Sequence, residues 1–497
     1  MPAGRSAAST AGIRAVLAAR ARRHLGLIVL LLVAVGLRVA MMVAYSPALW
    51  FAGDSGGYIR HSRLWPELTV RWTYPWLIKA FEWTGSFATL VAVQHLAGLA
   101  LGVATYLLLR RRLGVSGWVA TLAAAPILLD ARQLTLEQYL LTETLFTTAL
   151  AVAALVLAWK ERPGPVAGFG AGVAIAVGMS TRPTGVVALG VLLLFLLIPW
   201  RGWRAPVAYL LGIVAFFGVV FLNVGTVKGA LGTDGGKFLY GRTAHFADCD
   251  RLDLPPELRR LCPTQPLNQR PERPDWFIWN RDSPIRGAQR PEDLGEFAKA
   301  VIRQQPGDYV AEVAADTARY FWPHRLGPME SCLANWWVPQ LAPTNWAANR
   351  DCVPRLADPD YGWRPVPSQA APANAASRFL HGYGRYGTTP PPVVAAMTLI
   401  ALVGALWPRR GRRRLGVVAL GYTAIGVGIM VFSVATSMFD YRYGLPALAF
   451  LSTAAAAGWH RLRSAPAPTT PAAPPVLDLD DEPERVPAIL AGSNGER

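Results

Sequence analysis

The sequence predicts an all-α polytopic membrane protein with about ten transmembrane helices and one large extracytoplasmic loop domain of mixed or irregular structure. The 497 residues are 52% hydrophobic and only 16% charged, and their mean hydropathy is +0.27. A soluble chain carries roughly a quarter charged residues. Long uncharged apolar runs alternate with arginine clusters, and every second loop between the runs is basic. This combination is typical of a protein that crosses a membrane repeatedly.

Ten apolar segments approach the length of about 20 residues that a helix needs to cross the hydrocarbon core. In the N-terminal half they are Leu25–Tyr45, Phe87–Leu109, Gly117–Leu129, Tyr139–Trp159, Val166–Met179, Gly185–Pro199 and Ala205–Val224. In the C-terminal half they are Val393–Trp407, Leu415–Ala435 and Leu445–Trp459. Because the third, fifth and sixth are short, the expected number is ten within one or two.

Lysine and arginine set the expected orientation, since positively charged loops stay in the cytoplasm. The leader is basic, and so is each second loop as far as Arg461 and Arg463. We therefore expect both chain ends in the cytoplasm. The net charge of +17 is explained by these flanking arginines, so no nucleic-acid partner is expected. The Ala-, Arg- and Pro-rich composition favours a bacterial plasma membrane.

The same alternation divides the chain into five predicted parts. They are a basic cytoplasmic leader (1–24), an N-terminal transmembrane bundle (25–224) with a first outer loop (46–86), an extracytoplasmic Cys-, Trp- and Pro-rich domain (225–390), C-terminal transmembrane helices (391–463) and an acidic cytoplasmic tail (464–497). The tail has too little apolar surface to order itself and is predicted to be disordered.

All four cysteines lie in the predicted extracytoplasmic domain. An even number of cysteines in an exported region indicates disulfides. Of the three possible connectivities, pairing of nearest neighbours is favoured, which joins Cys249 to Cys262 and Cys332 to Cys352. Four unpaired thiols are the alternative. A zinc site is disfavoured because no CxxC spacing occurs.

The first outer loop carries the candidate catalytic group. Asp54 lies just beyond the first predicted span, among three glycines and before Tyr58. Glycines allow a tight bend and close approach of a ligand. A carboxylate held there at the membrane surface is suited to act as a general base on a hydroxyl. In the alternative interpretation, Asp54 or Ser55 caps a surface helix.

Several arginines lie on the predicted outer side, against the positive-inside trend. These candidate phosphate-binding residues are Arg60, Arg63, Arg71, Arg182 and Arg442. The alternative for each is a solvated loop side chain.

Charges near the predicted spans are also candidates, because ionisable groups at membrane depth mark functional sites. Arg38 either extends to the outer interface or lines the phosphate site. Asp130, Glu137 and Glu143 lie near the outer ends of the third and fourth spans. We expect one of these acids to position the acceptor or support Asp54, with helix capping and bonding within the bundle as alternatives.

Short motifs carry a resemblance to a known family. Gly53-Asp54-x-x-x-Tyr58 is followed by Tyr74-Pro-x-Leu77, and Leu141-Thr-Glu-Thr-Leu-Phe146 enters the fourth span. Ser180-Thr-Arg-Pro-Thr-Gly185 and Asp440-Tyr-Arg-Tyr-Gly-Leu-Pro446 come later. The chain thereby resembles the GT-C superfamily of membrane glycosyltransferases, in the branch of protein O-mannosyltransferases and the lipid A aminoarabinose transferase. The resemblance covers residues 25–210 and the final helices, but not the domain at 225–390.

The resemblance implies transfer of a sugar from a polyprenyl-phosphate carrier to an acceptor hydroxyl of a glycan, lipid or protein in the cell envelope. It implies Asp54 as the general base, Tyr58 as a substrate contact, and cationic side chains that stabilise the leaving phosphate. Where the family often has a second acidic residue, this chain has Ser55. We therefore predict no metal, and the lipid-linked sugar is the one cofactor-like molecule expected.

Two other classes of protein remain open. A lipid flippase or transporter would show internal repeats and midplane charges, and the sequence shows no repeat and few such charges. A non-enzymatic envelope scaffold would bind a partner through the extracytoplasmic domain and would tolerate loss of Asp54.

Overall fold

The computed structural model describes residues 24–51, 54–62, 73–197, 202–224, 235–271, 273–342, 355–356, 373–408 and 413–463. Four predicted features lie outside these described residues. They are the leader as far as residue 23, the acidic tail at 464–497, the candidates Arg63 and Arg71, and the cysteine Cys352.

The N-terminal part of the chain is a succession of helices that follow the predicted spans. They are α1 (Leu25–Ala44), α2 (Ser55–Arg60), α3 (Thr73–Phe81), α4 (Phe87–Leu107), α5 (Gly117–Leu129), α6 (Ala131–Gln138), α7 (Glu143–Ala158), α8 (Pro165–Thr181), α9 (Gly185–Leu197) and α10 (Arg204–Val224). A 3-10 turn at Glu82–Thr84 precedes α4, and a π-helical turn at Leu108–Arg112 extends it.

Residues 235–342, called here the intervening segment, form short helices. These are α11 (Gly235–Ala244), α12 (Pro256–Arg259), α13 (Trp276–Trp279), α14 (Pro291–Gln304), α15 (Pro306–Ala318) and α16 (Pro328–Trp336), with 3-10 turns at Cys249–Arg251, Leu267–Gln269 and Pro284–Gly287. The last helices of the described part are α17 (Ala375–Gly384), α18 (Pro391–Leu406), α19 (Arg413–Thr436) and α20 (Tyr441–Arg463). Two short strands, β1 (Leu49–Trp50) and β2 (Arg355–Leu356), pair antiparallel, with Leu49 opposite Leu356.

Among the described residues, four helices are long and apolar enough to cross a membrane: α1, α4 with its π-helical turn, α10 and α19. A fifth span is formed if α5 and α6, which meet at a bend of 46°, are counted as one broken helix. Shorter apolar helices are α7, α8, α9 and α18. The mostly helical architecture is thus as predicted, and several apolar helices could span a membrane, which is consistent with a multi-pass membrane protein.

The structure differs from the sequence prediction around residue 130. The sequence indicated a connecting region over residues 130–138 and a fourth span from Tyr139. Instead, residues 131–138 form α6 and the next helix begins only at Glu143. The reason is local, because the Asp130 carboxylate accepts the backbone N–H groups of Arg132 and Gln133 and so caps a new helix.

Helices α8 and α10 pack backbone against backbone. A Cβ atom added at Gly172 would lie 2.0 Å from the Tyr209 carbonyl oxygen, and one at Gly168 would lie 2.4 Å from that of Ala205. On the opposing helix, a Cβ atom at Gly212 would lie 2.3 Å from the Phe169 carbonyl oxygen. Small residues allow this approach, which provides van der Waals packing where lipid removes the hydrophobic driving force.

The intervening segment has a small hydrophobic core of its own. Its buried members include Tyr240, Leu261, Phe277 and Phe297. Cys249 and Cys262 form a disulfide beside this core, the first of the two pairs that nearest-neighbour pairing predicts. Cys332 is also disulfide-bonded, and its predicted partner is outside the described residues.

Replacement of Gly172 with alanine is expected to destabilise the protein by about 1–3 kcal/mol, because the new methyl group overpacks the α8–α10 contact. Gly170→Ala is the matched control, since nothing lies within 4 Å of a Cβ atom at that position of the same helix. Alanine there is expected to be neutral or stabilising by up to about 1 kcal/mol. Thermal unfolding in detergent measures both, and equal midpoints would contradict the close contact.

Candidate active site

Four of the candidates predicted from sequence meet in one cluster. Asp54 precedes α2, Glu143 begins α7, Arg182 follows α8, and Arg442 lies in the first turn of α20. Asp54 and Arg442 are 388 residues apart in sequence and yet form an ion pair. The fold therefore brings together ends of four different helices.

Arg442 is at the centre of the cluster. Its Nη1 donates to Asp54 Oδ2 at 3.0 Å, and its Nε lies 3.1 Å from Glu143 Oε1. Its Nη2 donates to the Tyr443 hydroxyl oxygen at 3.3 Å. The residue is only 6% exposed. One buried guanidinium is thus divided between two carboxylates.

Glu143 joins the two arginines to each other. The same oxygen, Oε1, accepts a hydrogen bond from Arg182 Nη2. Arg182 Nε also donates to the Thr142 hydroxyl oxygen at 3.4 Å. Glu143 and Arg182 are both buried. A negative charge between two guanidinium groups offsets their mutual repulsion, which is strong where water is excluded.

Asp54 is the most accessible of the four charges. Its side chain is 30% exposed, whereas that of Glu143 is 3% exposed. It occupies the N-cap position of α2, but its side chain makes no capping hydrogen bond there. The carboxylate instead reaches Arg442. The capping interpretation therefore describes the position of Asp54 in the chain, but not the use of its side chain.

Ser55 fixes the loop that carries Asp54. Its hydroxyl donates to the Leu140 carbonyl oxygen at 2.9 Å and accepts from the Phe51 backbone N–H at 2.9 Å. The Leu140 backbone N–H in turn donates to the Leu49 carbonyl oxygen at 3.0 Å. Where the resemblance leads one to expect a second acidic residue, this chain thus has an anchor to the segment that precedes Glu143.

Aromatic rings enclose the arginines. The Arg442 guanidinium carbon lies 4.9 Å from the centre of the Phe51 ring, 5.0 Å from that of Trp337 and 5.1 Å from that of Tyr443. Such cation–π contacts strengthen when water is excluded. Tyr443 belongs to the Asp440–Pro446 motif, so the sequence held a signal for it. For Phe51 and Trp337 it held none, because aromatic residues at a membrane surface are common.

Three buried polar atoms of the cluster lack hydrogen-bond partners in the described part of the chain. They are Glu143 Oε2, an acceptor, and two donors, Trp337 Nε1 and Arg442 Nε, the last of which contacts Glu143 only as an ion pair. An unpaired buried polar group costs about 1–3 kcal/mol, and such groups require an explanation in a native structure. A polar ligand that reached the cluster would find both an acceptor and a donor uncommitted.

The remaining candidates of the first loop lie around the cluster. Tyr58 is buried, and its ring centre lies 5.3 Å from that of Tyr74. Tyr74 donates from its hydroxyl to Gln94 Oε1 at 2.9 Å. Arg60 lies at the exposed end of α2. A direct substrate contact by Tyr58 or Arg60 stays a prediction.

Arg38 lies in a second, fully buried network. Its Nε donates to Glu137 Oε2 at 2.9 Å and its Nη2 to Glu137 Oε1 at 3.0 Å, while Nη1 donates to the Leu128 carbonyl oxygen at 2.8 Å. His95 Nδ1 lies 2.9 Å from Glu137 Oε2. Arg38 thus neither extends to the interface nor joins the Asp54 cluster. With all three nitrogens engaged, it ties α1 to the α5–α6 bend.

Asp130 likewise lies apart from the cluster. Besides capping α6, it accepts the Thr389 backbone N–H at Oδ2, over 2.6 Å. Its carboxylate therefore joins the α5–α6 bend to the start of α18. Of the roles predicted for Asp130, helix capping is therefore the one that its contacts confirm.

Among the described residues, no three or more His, Cys, Asp or Glu side chains converge as ligands of a metal ion would. No protein-family model matches the chain, and neither does any curated protein or solved structure. What the protein does is therefore inferred from the geometry of this cluster together with the sequence motifs.

Arg38→Met is expected to destabilise the protein by about 3–5 kcal/mol, because it leaves the buried Glu137 carboxylate without its main counter-charge. Val39→Met is the matched control, since it places the same side chain at the next position, where valine is 56% exposed. Thermal unfolding in detergent compares the two. If both variants have the same unfolding midpoint as the wild type, the Arg38–Glu137 pair does not stabilise the fold.

Proposed function

We propose that the protein is a membrane glycosyltransferase that moves a sugar from a polyprenyl-phosphate carrier to an acceptor hydroxyl. The observation that carries this proposal is a partly exposed carboxylate, Asp54, held 3.0 Å from a buried arginine that is linked through Glu143 to a second arginine. A base beside paired cations is what such a transfer requires.

In the proposed reaction, Asp54 removes the proton of the acceptor hydroxyl. The acceptor oxygen then attacks the anomeric carbon of the sugar, with inversion. The bond between that carbon and the phosphate oxygen breaks, and the phosphate keeps the electron pair. The products are the glycosylated acceptor and the polyprenyl phosphate, and the proton on Asp54 returns to water.

Arg182 and Arg442 are the groups that we assign to the leaving phosphate. Their guanidinium groups present several N–H donors with fixed charge, which suits a phosphate. Phosphate and Asp54 compete for the same guanidinium of Arg442. Arrival of the carrier therefore weakens the hold of Arg442 on Asp54, and the carboxylate gains affinity for a proton when the acceptor is in place.

Glu143 is assigned a positioning role. It contacts both arginines through one oxygen and is too deeply buried to act as the base itself. Without it, two like charges would face each other in a site from which water is largely excluded. Glu143 thus keeps the two guanidinium groups at a fixed spacing.

The topology proposed with this function is about ten spans, with both chain ends in the cytoplasm of a bacterial plasma membrane. Four to five long helices and four shorter apolar ones in the described part of the chain support that number. The positive-inside rule places Asp54 and the intervening segment on the outer side. The Cys249–Cys262 disulfide fits an oxidising compartment. The acceptor is a hydroxyl of a glycan, a lipid or a protein that reaches this face.

Asp54→Asn is expected to lower sugar transfer by a factor of about 10²–10⁴, because asparagine keeps the shape of the side chain but cannot accept a proton. Transfer is measured from a radiolabelled polyprenyl-phosphate hexose in membranes that carry wild type or variant at equal protein level. Asp308→Asn is the matched control, since Asp308 lies exposed in the first turn of α15, and we expect it to leave transfer unchanged.

Equal transfer by wild type and Asp54→Asn would exclude Asp54 as the base. No transfer by any of the three proteins would contradict this donor and favour the flippase or scaffold interpretation.

A further inference from the structure

The turn that carries Arg442 is held by a side chain of the intervening segment. Tyr320 follows α15, and its hydroxyl donates to the Asp440 carbonyl oxygen at 2.9 Å. The Asp440 backbone N–H lies 3.4 Å from the same hydroxyl oxygen, as a donor to it. The Asp440 carboxylate accepts the Arg442 backbone N–H at 2.9 Å. The Tyr320 hydroxyl thus holds the backbone of Asp440, the residue just before the first turn of α20, in which Arg442 lies.

The Tyr320 ring is fixed as tightly as its hydroxyl. The ring is buried against Phe439, with the two ring centres 4.8 Å apart. On its other side lies Gly444, where a Cβ atom would be only 2.5 Å from Tyr320 Cε1. The first turn of α20 therefore sits against Tyr320 with no side chain between them. Any movement of this ring is transmitted to the backbone on both sides of Arg442.

Other contacts bring the same segment against the cluster. Trp337 lies under the Arg442 guanidinium. The Tyr139 hydroxyl donates to the Trp336 carbonyl oxygen at 3.0 Å, and that of Tyr45 donates to the Gln340 carbonyl oxygen at 2.6 Å. The intervening segment thus reaches the candidate active site through Trp336 and Trp337, whose rings lie beside Phe51 and Arg442.

We propose that Tyr320 is a positioning residue that sets the contact between Arg442 and Asp54, so that the intervening segment is part of the active site and more than a cover over it. The catalytic half of this inference rests on the proposed function. The structural half, that Tyr320 holds the Arg442 turn, is independent of it.

The contact between Arg442 and Asp54 has a specific electrostatic consequence. Asp54 pairs with Arg442, which also contacts Glu143, and Glu143 in turn pairs with Arg182. The Asp440 carboxylate bonds the Arg442 backbone N–H. If the turn drifts, the Asp54 carboxylate loses part of its neighbouring positive charge. A carboxylate without that charge takes up its proton at a higher pH. The acidic limb of the kcat/KM profile, which reports the free enzyme in which Arg442 still holds Asp54, must then move to higher pH.

The test compares Tyr320→Phe with Tyr309→Phe, and both variants keep the ring. Each loses one hydrogen bond from a tyrosine of the intervening segment to a backbone carbonyl oxygen of the helical bundle, since the Tyr309 hydroxyl donates to Ala435 at 2.9 Å. Tyr320→Phe also removes the longer hydrogen bond, 3.4 Å, that its hydroxyl accepts from the Asp440 backbone N–H. Of the two tyrosines, Tyr320 bonds the segment that carries Arg442, whereas Tyr309 bonds α19. Two measurements are made on the full chain: amide hydrogen exchange over residues 438–446, and the pH dependence of kcat/KM for transfer, which reports the free enzyme.

For Tyr320→Phe we expect faster exchange over residues 438–446, a fall in kcat of about fivefold, as for the loss of one hydrogen bond, little change in KM, and an acidic limb moved to higher pH. Tyr309→Phe is expected to match wild type in all of these. Exchange that is unchanged in Tyr320→Phe, or equally raised in both variants, would overturn the positioning role. Faster exchange with an unmoved acidic limb would overturn its link to Asp54.

If wild type transfers no sugar, the proposed function and the catalytic half of the inference fall together. Hydrogen exchange needs no substrate and would still decide whether Tyr320 holds the turn.

Discussion

The candidate site depends on one guanidinium group, that of Arg442, which is divided between the exposed carboxylate of Asp54 and the buried carboxylate of Glu143. A buried cation is costly unless it is paired and hydrogen-bonded. Here the pairing joins α20 to α7 and to the loop before α2, while Arg182 adds the end of α8. Loss of one of these charges leaves a buried charge without its partner unless another group, such as a phosphate in the place of Asp54, takes over the pairing, and these pairs hold the four helix ends together.

A second buried arginine–carboxylate pair occurs in the protein and has a different role. Arg38 and Glu137 form a buried pair whose nitrogen and oxygen atoms are engaged by each other and by neighbouring groups. That network is closed, since Arg38 has all three nitrogens bonded. The Asp54 cluster is open, because it has one accessible carboxylate and three buried polar atoms without hydrogen-bond partners in the described part of the chain. This difference distinguishes a network that supports the fold from one suited to bind a ligand.

Much of the cluster could be predicted residue by residue. Asp54, Glu143, Arg182 and Arg442 stand out because charges are rare beside apolar runs and because each belongs to a short motif. Their contacts could not be predicted, since pairing over 388 residues depends on how the helices pack. Arg38 stands out in the sequence as a charge within an apolar span. Its pairing with Glu137 could not be predicted, because it too depends on how the helices pack. The roles of Trp337 and Tyr320 left no sequence signal, because their importance comes only from what they touch.

The most direct test of this account is an experimental structure of the protein with polyprenyl phosphate bound. The account predicts the phosphate against Arg182 and Arg442, with Asp54 released from Arg442 and facing the space where an acceptor hydroxyl would lie. A phosphate bound elsewhere, with the Asp54–Arg442 pair intact, would contradict the assignment of this cluster as the active site.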